Sequence, residues 1–224
     1  MALVQTGAAV PIVFARVVDP VGAGYVPSLA RPGGNVTGFA SIDISAGVKW
    51  LQLLKEIAPS VTRALIFRTV AIGGANQFGA IQGMAPAMGV ELRPVDPSSR
   101  DEIGRAVSEF ARNPDGGLIV TASAPATVNR QLIVAQAAKY RLPAVYSNRL
   151  YVESGGLISY GAVTAELVRP AAGYVDRILR GQWAGDLPVQ APTKYELVIN
   201  LKTAKALGLT IPPTLFARAD EVIE

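Results

Sequence analysis

Short runs rich in β-branched residues alternate along this chain with longer segments of helical periodicity. This alternation is typical of βαβ units, in which helices cover the faces of a parallel sheet. Several runs are apolar almost throughout, as strands buried on both faces are. The predicted strands span Pro11–Val18, Val36–Ala40, Ala64–Arg68, Val90–Val95, Gly117–Thr121, Pro143–Tyr146, Leu157–Tyr160 and Glu196–Ile199. The pattern therefore predicts an α/β protein.

Capping residues mark where several of the intervening helices begin and end. Ser99 followed by Glu102 forms a capping box, which predicts a helix start at this point. Asn200 and Gly208 bracket a short helix with a typical first and last residue. Thr127 is predicted to cap the helical segment that ends near Tyr140.

One helical pattern contains a proline. Leu167, Ala171, Tyr174 and Ile178 share one helical face. Pro170 lacks a backbone N–H and would break a hydrogen bond in the helix interior. The regular helix is therefore predicted to begin near Pro170, or to kink there.

Composition excludes most common catalytic and metal-binding arrangements. The 224 residues include no histidine and no cysteine. The chain therefore has no histidine base, no His–Cys zinc site, no thiolate nucleophile and no disulfide. The net charge of +4 is carried by scattered basic residues, so no nucleic-acid partner is expected. No apolar run reaches the roughly 18 residues of a membrane span.

The loops after the strands are the predicted functional region, because ligands of open parallel sheets bind at the carboxyl ends of the strands. These loops carry hydroxyls, amides and single carboxylates, and none pairs a nucleophile with a base. No catalytic residue, metal or cofactor is therefore predicted. The Gly22–Gly24 loop lacks the third glycine of a dinucleotide site and is interpreted as a tight turn. The glycines at 73, 74 and 79 predict a flexible loop.

Individual side chains in these loops have two interpretations each. Asp19 is either a turn carboxylate or a partner for a ligand ammonium group. Thr121, Ser123 and Ser147 either cap the next helix or contact a ligand. Tyr146 is either a core residue or a stacking surface for an apolar ligand.

Several long strings of this chain resemble one family, the substrate-binding proteins of ABC transporters of the tryptophan/tyrosine type. The resemblance implies a two-lobed type I periplasmic-binding-protein fold, with parallel sheets flanked by helices. It also implies that a small solute binds between the lobes and is presented to a membrane permease. The strings that carry it are Pro11–Gly24, Ser28–Phe39, Leu51–Pro59, Gly155–Gly161, Tyr174–Leu179 and Pro192–Pro213.

The resemblance also implies how the chain divides between the lobes. Residues 1–43 would be a remnant of the first lobe, and residues 44–150 most of the second. Residues 151–187 would return to the first lobe, and residues 188–224 would form the hinge and the end of the second lobe.

The resemblance begins near Pro11, whereas members of the family start with an export signal and about three βα units. The first lobe is therefore expected to be truncated, and self-association through its exposed edge is an expected alternative to a covering partner. The family location is the periplasm, yet residues 1–15 do not have the pattern of an export signal. Two loops depart from the family pattern, Arg68–Val70 where relatives have Asn-Pro and Thr121–Pro125 where they have Asp-Pro-Phe.

The leading hypothesis is a non-enzymatic binding protein for a small polar solute, such as an amino acid or a related aromatic or carboxylate compound. An ABC permease would be its membrane partner. Alternatives are a ligand-sensing domain of a regulator or receptor, a Rossmann-like enzyme, and a fragment that binds nothing by itself. The predicted ligand-binding residues are Asp19 and Ser41 in the first lobe, and Asn76, Ser123, Tyr146 and Asn148 in the second.

Overall fold

The computed structural model describes residues 10–41, 45–69 and 72–224, without the side chains of residues 72–74. The strands are β1 (Ile12–Val17), β2 (Val36–Ala40), β3 (Arg63–Phe67), β4 (Glu91–Val95), β5 (Gly116–Val120), β6 (Ala144–Tyr146), β7 (Ile158–Ala162), β8 (Tyr195–Asn200) and β9 (Glu221–Ile223). The helices are α1 (Ala46–Ile57), α2 (Ile72–Met84), α3 (Arg100–Phe110), α4 (Ala124–Val128), α5 (Arg130–Lys139), α6 (Arg149–Glu153), α7 (Thr164–Leu179), α8 (Leu201–Leu207) and α9 (Pro213–Phe216).

The chain forms two compact units. Unit 1 comprises Met1–Asp43 and Ala162–Tyr195, and unit 2 comprises Ile44–Gly161 and Glu196–Glu224. The chain passes from unit 1 to unit 2 after Asp43, and the lobe boundaries drawn from the resemblance stay a prediction. The chain returns to unit 1 only at Ala162, later than the expected residue 151, because β7 pairs with β6 in the sheet of unit 2. It leaves unit 1 after Tyr195, where β8 joins the same sheet.

Unit 1 is built on the parallel pair β1–β2. Phe14 lies opposite Gly38, and a Cβ atom at Gly38 would overlap the backbone of Phe14. Glycine therefore allows the two strands to approach at this point. Helix α7 packs on the pair, with Tyr174 against the ring of Phe39 at a centroid distance of 4.9 Å. Among the described residues, no strand pairs with the outer edge of β1.

Unit 2 contains a seven-stranded sheet in the order β4-β3-β5-β6-β7-β8-β9. The central strands β3, β5 and β6 are parallel and almost completely buried, as their apolar sequences predict. On α1, Trp50 is fully buried, and its indole N–H donates to the carbonyl oxygen of Tyr160 at 2.7 Å. Helices α3 and α5 pack over the sheet around Phe67, Leu118 and other core residues.

The capping predictions have mixed outcomes. The Ser99 hydroxyl accepts from the Glu102 N–H at 3.3 Å, which confirms the start of α3. Asn200 caps α8, and Gly208 ends it with φ +74°, as predicted. The Thr127 prediction is wrong: Ser123 caps the preceding α4, and the hydroxyl of Thr127 donates to the Ser123 carbonyl instead.

Two helix predictions are corrected by tertiary packing. Helix α7 begins at Thr164, before Pro170, and that proline lies inside it. Burial of Leu167 and Tyr174 on one face extends the helix through the proline. Residues 72–84 form α2 rather than a flexible loop, with Ile81 fully buried. Strand β9 was not predicted, since its three residues are too short to show a periodicity.

Candidate functional site

Strand register aligns the carboxyl ends of four strands in unit 2. Val95, Phe67, Val120 and Tyr146 are the last residues of β4, β3, β5 and β6, and they are paired across the sheet in a single row. The residue that follows each of them therefore lies at one edge of the sheet. This polar edge consists of Asp96, Arg68, Thr121 and Ser147, together with the loops that follow.

The loop after β5 is held by side chains on both sides. Thr121 is fully buried, and its hydroxyl donates to the carbonyl oxygen of Phe67 at 2.9 Å. Gln77 on α2 accepts from the backbone N–H of Ala122 at 3.1 Å through Oε1. The Nε2 of Gln77 has no hydrogen-bond partner among the described residues, although the side chain is 1% exposed. A buried amide donor is therefore left available beside this loop.

The loop after β6 contains a second buried polar side chain that leaves a hydrogen-bonding atom without a partner among the described residues. The hydroxyl of Ser147 is buried and has no hydrogen-bond partner in the part of the chain that the structure describes. Its neighbour Asn148 caps α6, with Oδ1 accepting from the Leu150 N–H at 3.1 Å. Of the two residues, Ser147 is thus the one whose hydrogen-bonding capacity is unused.

Asn148 also precedes an arginine that fixes the end of α6. Arg149 binds the carboxylates of Glu153, Glu196 and Glu221 at 2.7, 3.0 and 2.9 Å. The hydrogen bond to Glu153, with that to Glu221, raises the pKa of Arg149 above its ordinary value. These ion pairs connect α6 to β8 and β9, and so hold the helix that begins at the polar edge.

A charged recess lies at the end of the edge near β4. The guanidinium of Arg68 stacks over the ring of Phe78 at 4.5 Å from the centroid, and its Nε has no partner among the described residues. Arg68, Pro94, Val95 and Asp96 line a recess of about 110 Å³. Pockets for small molecules span about 300–1,000 Å³, so this recess alone does not enclose an amino acid of aromatic size.

Tyr146 is placed in the core of unit 2. Its ring stacks on that of Tyr151 at a centroid distance of 4.9 Å, and the residue is 1% exposed. Burial raises the pKa of the Tyr146 hydroxyl well above its ordinary value, and Tyr151 adds to the effect. This placement favours the core interpretation of Tyr146. A direct ligand contact for its ring stays a prediction.

The predicted residues of unit 1 also lie at a carboxyl edge. Val17 pairs with Ala40, so Asp19 and Ser41 both follow the last paired residues of β1 and β2. Asp19 accepts from the Gly22 N–H at 2.8 Å, as the turn interpretation requires. The turn includes Gly24 at φ +71°, and the described residues between this turn and β2 are not helical. The Ser41 hydroxyl is buried and has no partner among the described residues.

The two remaining predicted residues lie on helices of unit 2. Ser123 is the N-cap of α4, and its hydroxyl accepts from the Ala126 N–H at 3.3 Å. Asn76 lies in the second turn of α2, one residue before Gln77, and is exposed. Ligand contact by either residue is not decided by these positions and stays a prediction.

Sequence reasoning missed Gln77. Its segment was interpreted as a loop because of the surrounding glycines, and a polar residue in a loop is ordinarily solvated. One signal was available: once the segment is taken as a helix, Gln77 lies one turn from Ile81 on the apolar side. The close approach of Gly47 on α1 to the Gln77 carbonyl explains how that side is buried.

The described residues contain no group of three or more acidic, histidine or cysteine side chains placed to hold a metal ion. No helix within the described ranges combines the length and the apolar character needed to cross a bilayer.

The topology and the polar carboxyl edges are those of a type I periplasmic-binding-protein fold, and solved structures confirm this fold class. A conserved domain protein from Vibrio cholerae is 29% identical with a TM-score of 0.89, and the match covers 99% of this chain and 74% of that one. A domain from Streptococcus pneumonia, solved in complex with L-Trp, is 26% identical with a TM-score of 0.86, over 95% of this chain and 72% of that one.

The family model for "ABC transporter substrate binding protein" matches residues 1–223, and the chain belongs to this family. A curated relative, the tyrosine-binding protein of Clostridioides difficile, is 30% identical over 205 residues, or 89% of this chain. The match covers 57% of that relative's length. Members of the family bind solutes rather than catalyse reactions, and they generally act outside the cytoplasm.

Proposed function

We propose that this chain is the solute-binding component of an ABC importer, with an aromatic L-amino acid as its solute. The observation that carries the proposal is the set of buried, unpartnered polar groups at the carboxyl edges of both units. Ser147, Gln77 and Ser41 each bury a polar atom without a partner among the described residues. Such atoms cost free energy unless something binds them, so a polar ligand explains their retention.

The chemistry of these groups fits an amino acid. The hydroxyl of Ser147 and the amide of Gln77 are donors for a ligand carboxylate. Asp19 is the proposed partner of the ligand ammonium group, and Asn76, Ser123 and Asn148 are proposed to add hydrogen bonds from the loops they occupy. Support for an aromatic side chain comes from the relatives, one named a tyrosine-binding protein and one solved with L-Trp.

The location and membrane partner follow from the family. The proposed site of action is the periplasm, and the proposed partner is the permease of an importer for the same amino acid. Self-association is proposed as a separate property of unit 1. Neither property requires the chain to bind nucleic acid or a cofactor.

Calorimetric titration of the whole chain tests the solute. L-tryptophan and L-tyrosine are expected to release heat with a 1:1 endpoint. N-acetyl-L-tryptophanamide, which has the same ring but neither a free ammonium nor a carboxylate, is the matched control and is expected not to bind. An absence of heat with every amino acid tested would contradict the proposal for this chain.

Replacing Ser147 by alanine tests the site. The hydroxyl contributes no hydrogen bond to the fold among the described residues, so Ser147→Ala is expected to leave the free energy of unfolding unchanged or raised. Affinity for the amino acid is expected to fall about tenfold, which corresponds to about 1.4 kcal/mol. Titration and urea unfolding of the same variant measure the two effects.

Ser159→Ala is the matched control. Ser159 also buries a hydroxyl that has no partner among the described residues, but it lies inside β7, three residues before that strand ends at Ala162. The variant is expected to keep full affinity. A loss of stability in Ser147→Ala with unchanged affinity would assign the hydroxyl to the fold and remove it from the site.

A further inference from the structure

Two side chains of opposite charge line one recess of unit 2, at the carboxyl ends of β3 and β4, without pairing. Arg68 and Asp96 line it together with Pro94 and Val95, and its volume is about 110 Å³. Among the described residues, neither charge takes part in an ion pair. A guanidinium and a carboxylate that share a recess but do not meet leave room for a group that contacts both.

Arg68 is held in position by an aromatic ring. Its guanidinium stacks over the ring of Phe78 at 4.5 Å from the centroid. Its Nε is buried and has no hydrogen-bond partner among the described residues. The donors of a guanidinium lie in its plane, so the stack leaves them available to an acceptor. A buried donor costs free energy unless an acceptor binds it, and an acceptor on a ligand would account for its retention.

Asp96 is held by the residue two positions later. The backbone N–H and the hydroxyl of Ser98 both donate to Oδ1 of Asp96, at 2.8 and 2.5 Å. Both bonds use the same carboxylate oxygen, so Oδ2 accepts no hydrogen bond within the described part of the chain. The recess therefore presents one anchored donor group and one anchored acceptor group.

The two charges determine which kind of ligand group fits the recess. A carboxylate would be attracted by Arg68 and repelled by Asp96, and an ammonium group would meet the reverse. A hydroxyl is neutral, accepts from a guanidinium and donates to a carboxylate, so it satisfies both side chains at once. A water-sized group needs roughly 10–15 Å³ of such a recess, so 110 Å³ admits a hydroxyl together with the edge of the ring that carries it.

The recess lies on the same polar edge as the site of the proposed function, on which this inference rests. Arg68 follows β3 and Ser147 follows β6, with β5 between these two strands. Neighbouring strands lie about 4.8 Å apart, which places the two residues about 10 Å apart along the edge. An aromatic amino acid carries its carboxylate and the para position of its ring at opposite ends. A solute that lies along this edge, with its carboxylate at Ser147 and Gln77, therefore brings its ring end to the recess.

We propose that the recess lined by Arg68 and Asp96 binds a hydroxyl group on the aromatic ring of the solute, so that the chain selects a phenolic amino acid over one with an unsubstituted ring. The hydroxyl accepts from the Arg68 guanidinium and donates to the Asp96 carboxylate. A ring without the hydroxyl covers the same two polar groups and satisfies neither. This penalty, rather than contact area, is the source of the selectivity.

Calorimetric titration of the whole chain with L-tyrosine and L-phenylalanine measures the selectivity, because the two differ only in the ring hydroxyl. L-tyrosine is expected to bind at least about tenfold more tightly. O-methyl-L-tyrosine keeps the acceptor oxygen but cannot donate to Asp96, and its affinity is expected to fall between the two. Equal affinities for L-tyrosine and L-phenylalanine would overturn the inference and leave the proposed function in place, whereas an absence of heat with every aromatic amino acid would contradict both.

Arg68→Met tests the donor. Methionine keeps an unbranched side chain that packs against Phe78, but it donates no hydrogen bond. Affinity for L-tyrosine is expected to fall at least about tenfold, and affinity for L-phenylalanine to stay within about twofold, which also shows that the variant is folded. Equal losses for both ligands would assign Arg68 to the head group that they share and would overturn the inference.

Arg93→Met is the matched control for the loss of an arginine. Arg93 lies on β4, is half exposed, pairs with Glu109 at 3.0 Å and is not among the residues that line the recess. The variant is expected to change neither affinity. A loss of tyrosine selectivity in Arg93→Met equal to that in Arg68→Met would trace the effect to net charge and overturn the inference.

Asp96→Asn tests the acceptor, and it stays decisive if Arg68→Met does not fold. The asparagine oxygen still accepts from Ser98, so the loop after β4 is expected to be retained. Affinity for L-tyrosine is expected to fall about fivefold, whereas affinity for O-methyl-L-tyrosine, which has no proton to donate, is expected to stay within about twofold. Equal effects on both ligands would overturn the pairing of the ring hydroxyl with Asp96.

Discussion

The hydroxyl of Tyr146 lies in the core of unit 2, where burial raises its pKa well above the ordinary value of 10. In the unfolded chain the hydroxyl ionises near pH 10, whereas the folded protein retains the proton. The folded state therefore binds more protons above this pH, and the free energy of unfolding falls as pH rises through and beyond about 10. Tyr146→Phe removes this titration, so its stability is expected to fall less steeply in urea unfolding between about pH 9 and 11.

Val145→Ala is the control for the pH dependence of Tyr146→Phe. Val145 is fully buried beside Tyr146 and does not titrate, so its replacement is expected to lower stability equally at every pH. Equal slopes of stability against pH for the unmodified protein and Tyr146→Phe would contradict the assignment of the titration to Tyr146.

Helix α3 shows how a single side chain determines where an element begins. The Ser99 hydroxyl satisfies the N–H of Glu102, one of the donors that a helix start leaves without an internal partner. Ser99→Ala is expected to lower the free energy of unfolding by about 1 kcal/mol. Urea unfolding followed by circular dichroism measures the change.

Ser108→Ala is the matched control on the same helix. The Ser108 hydroxyl bonds the carbonyl oxygen of Arg105 within α3, and alanine is the better helix former at such a position. The variant is expected to stay within about 0.5 kcal/mol of the unmodified protein, and equal losses in both serine variants would show that the cap contributes nothing specific.

At the scale of the whole molecule, the two units differ in how much sheet supports them. Within the residues that the structure describes, unit 1 rests on two strands, whereas unit 2 has seven. Gly38→Ala places a Cβ against the Phe14 backbone and is expected to destabilise unit 1. Hydrogen–deuterium exchange should then rise in β1, β2 and α7, while the buried strands β3, β5 and β6 stay protected.

Gly104→Ala on α3 of unit 2 serves as the comparison. An added Cβ at this glycine meets no atom within 4 Å, so the variant is expected to gain about 0.5–1 kcal/mol from helix propensity. Uniform faster exchange across both units in Gly38→Ala would show that the two units unfold as one.

Local chemistry in the sequence determined the parts of the fold that depend on neighbouring residues. The predicted strands located β1 to β8 to within two residues. For β3, β5 and β6 the reason is that buried parallel strands are apolar throughout. The caps at Ser99 and Asn200 were readable for the same reason, since each bonds a backbone group three residues away. The alternation of elements and the family strings together predicted the fold class.

Tertiary structure decided the features that depend on residues far apart in sequence. Helix α7 continues through Pro170 because its buried face packs on β1 and β2. Gln77 becomes a candidate ligand donor because α1 approaches α2 closely and the loop after β5 fixes one end of its amide. The structure favours a core role for Tyr146 and makes Ser147 a candidate site residue. Neither interpretation could be read from the sequence, because burial and hydrogen-bond partners are set by tertiary packing and no local pattern encodes them.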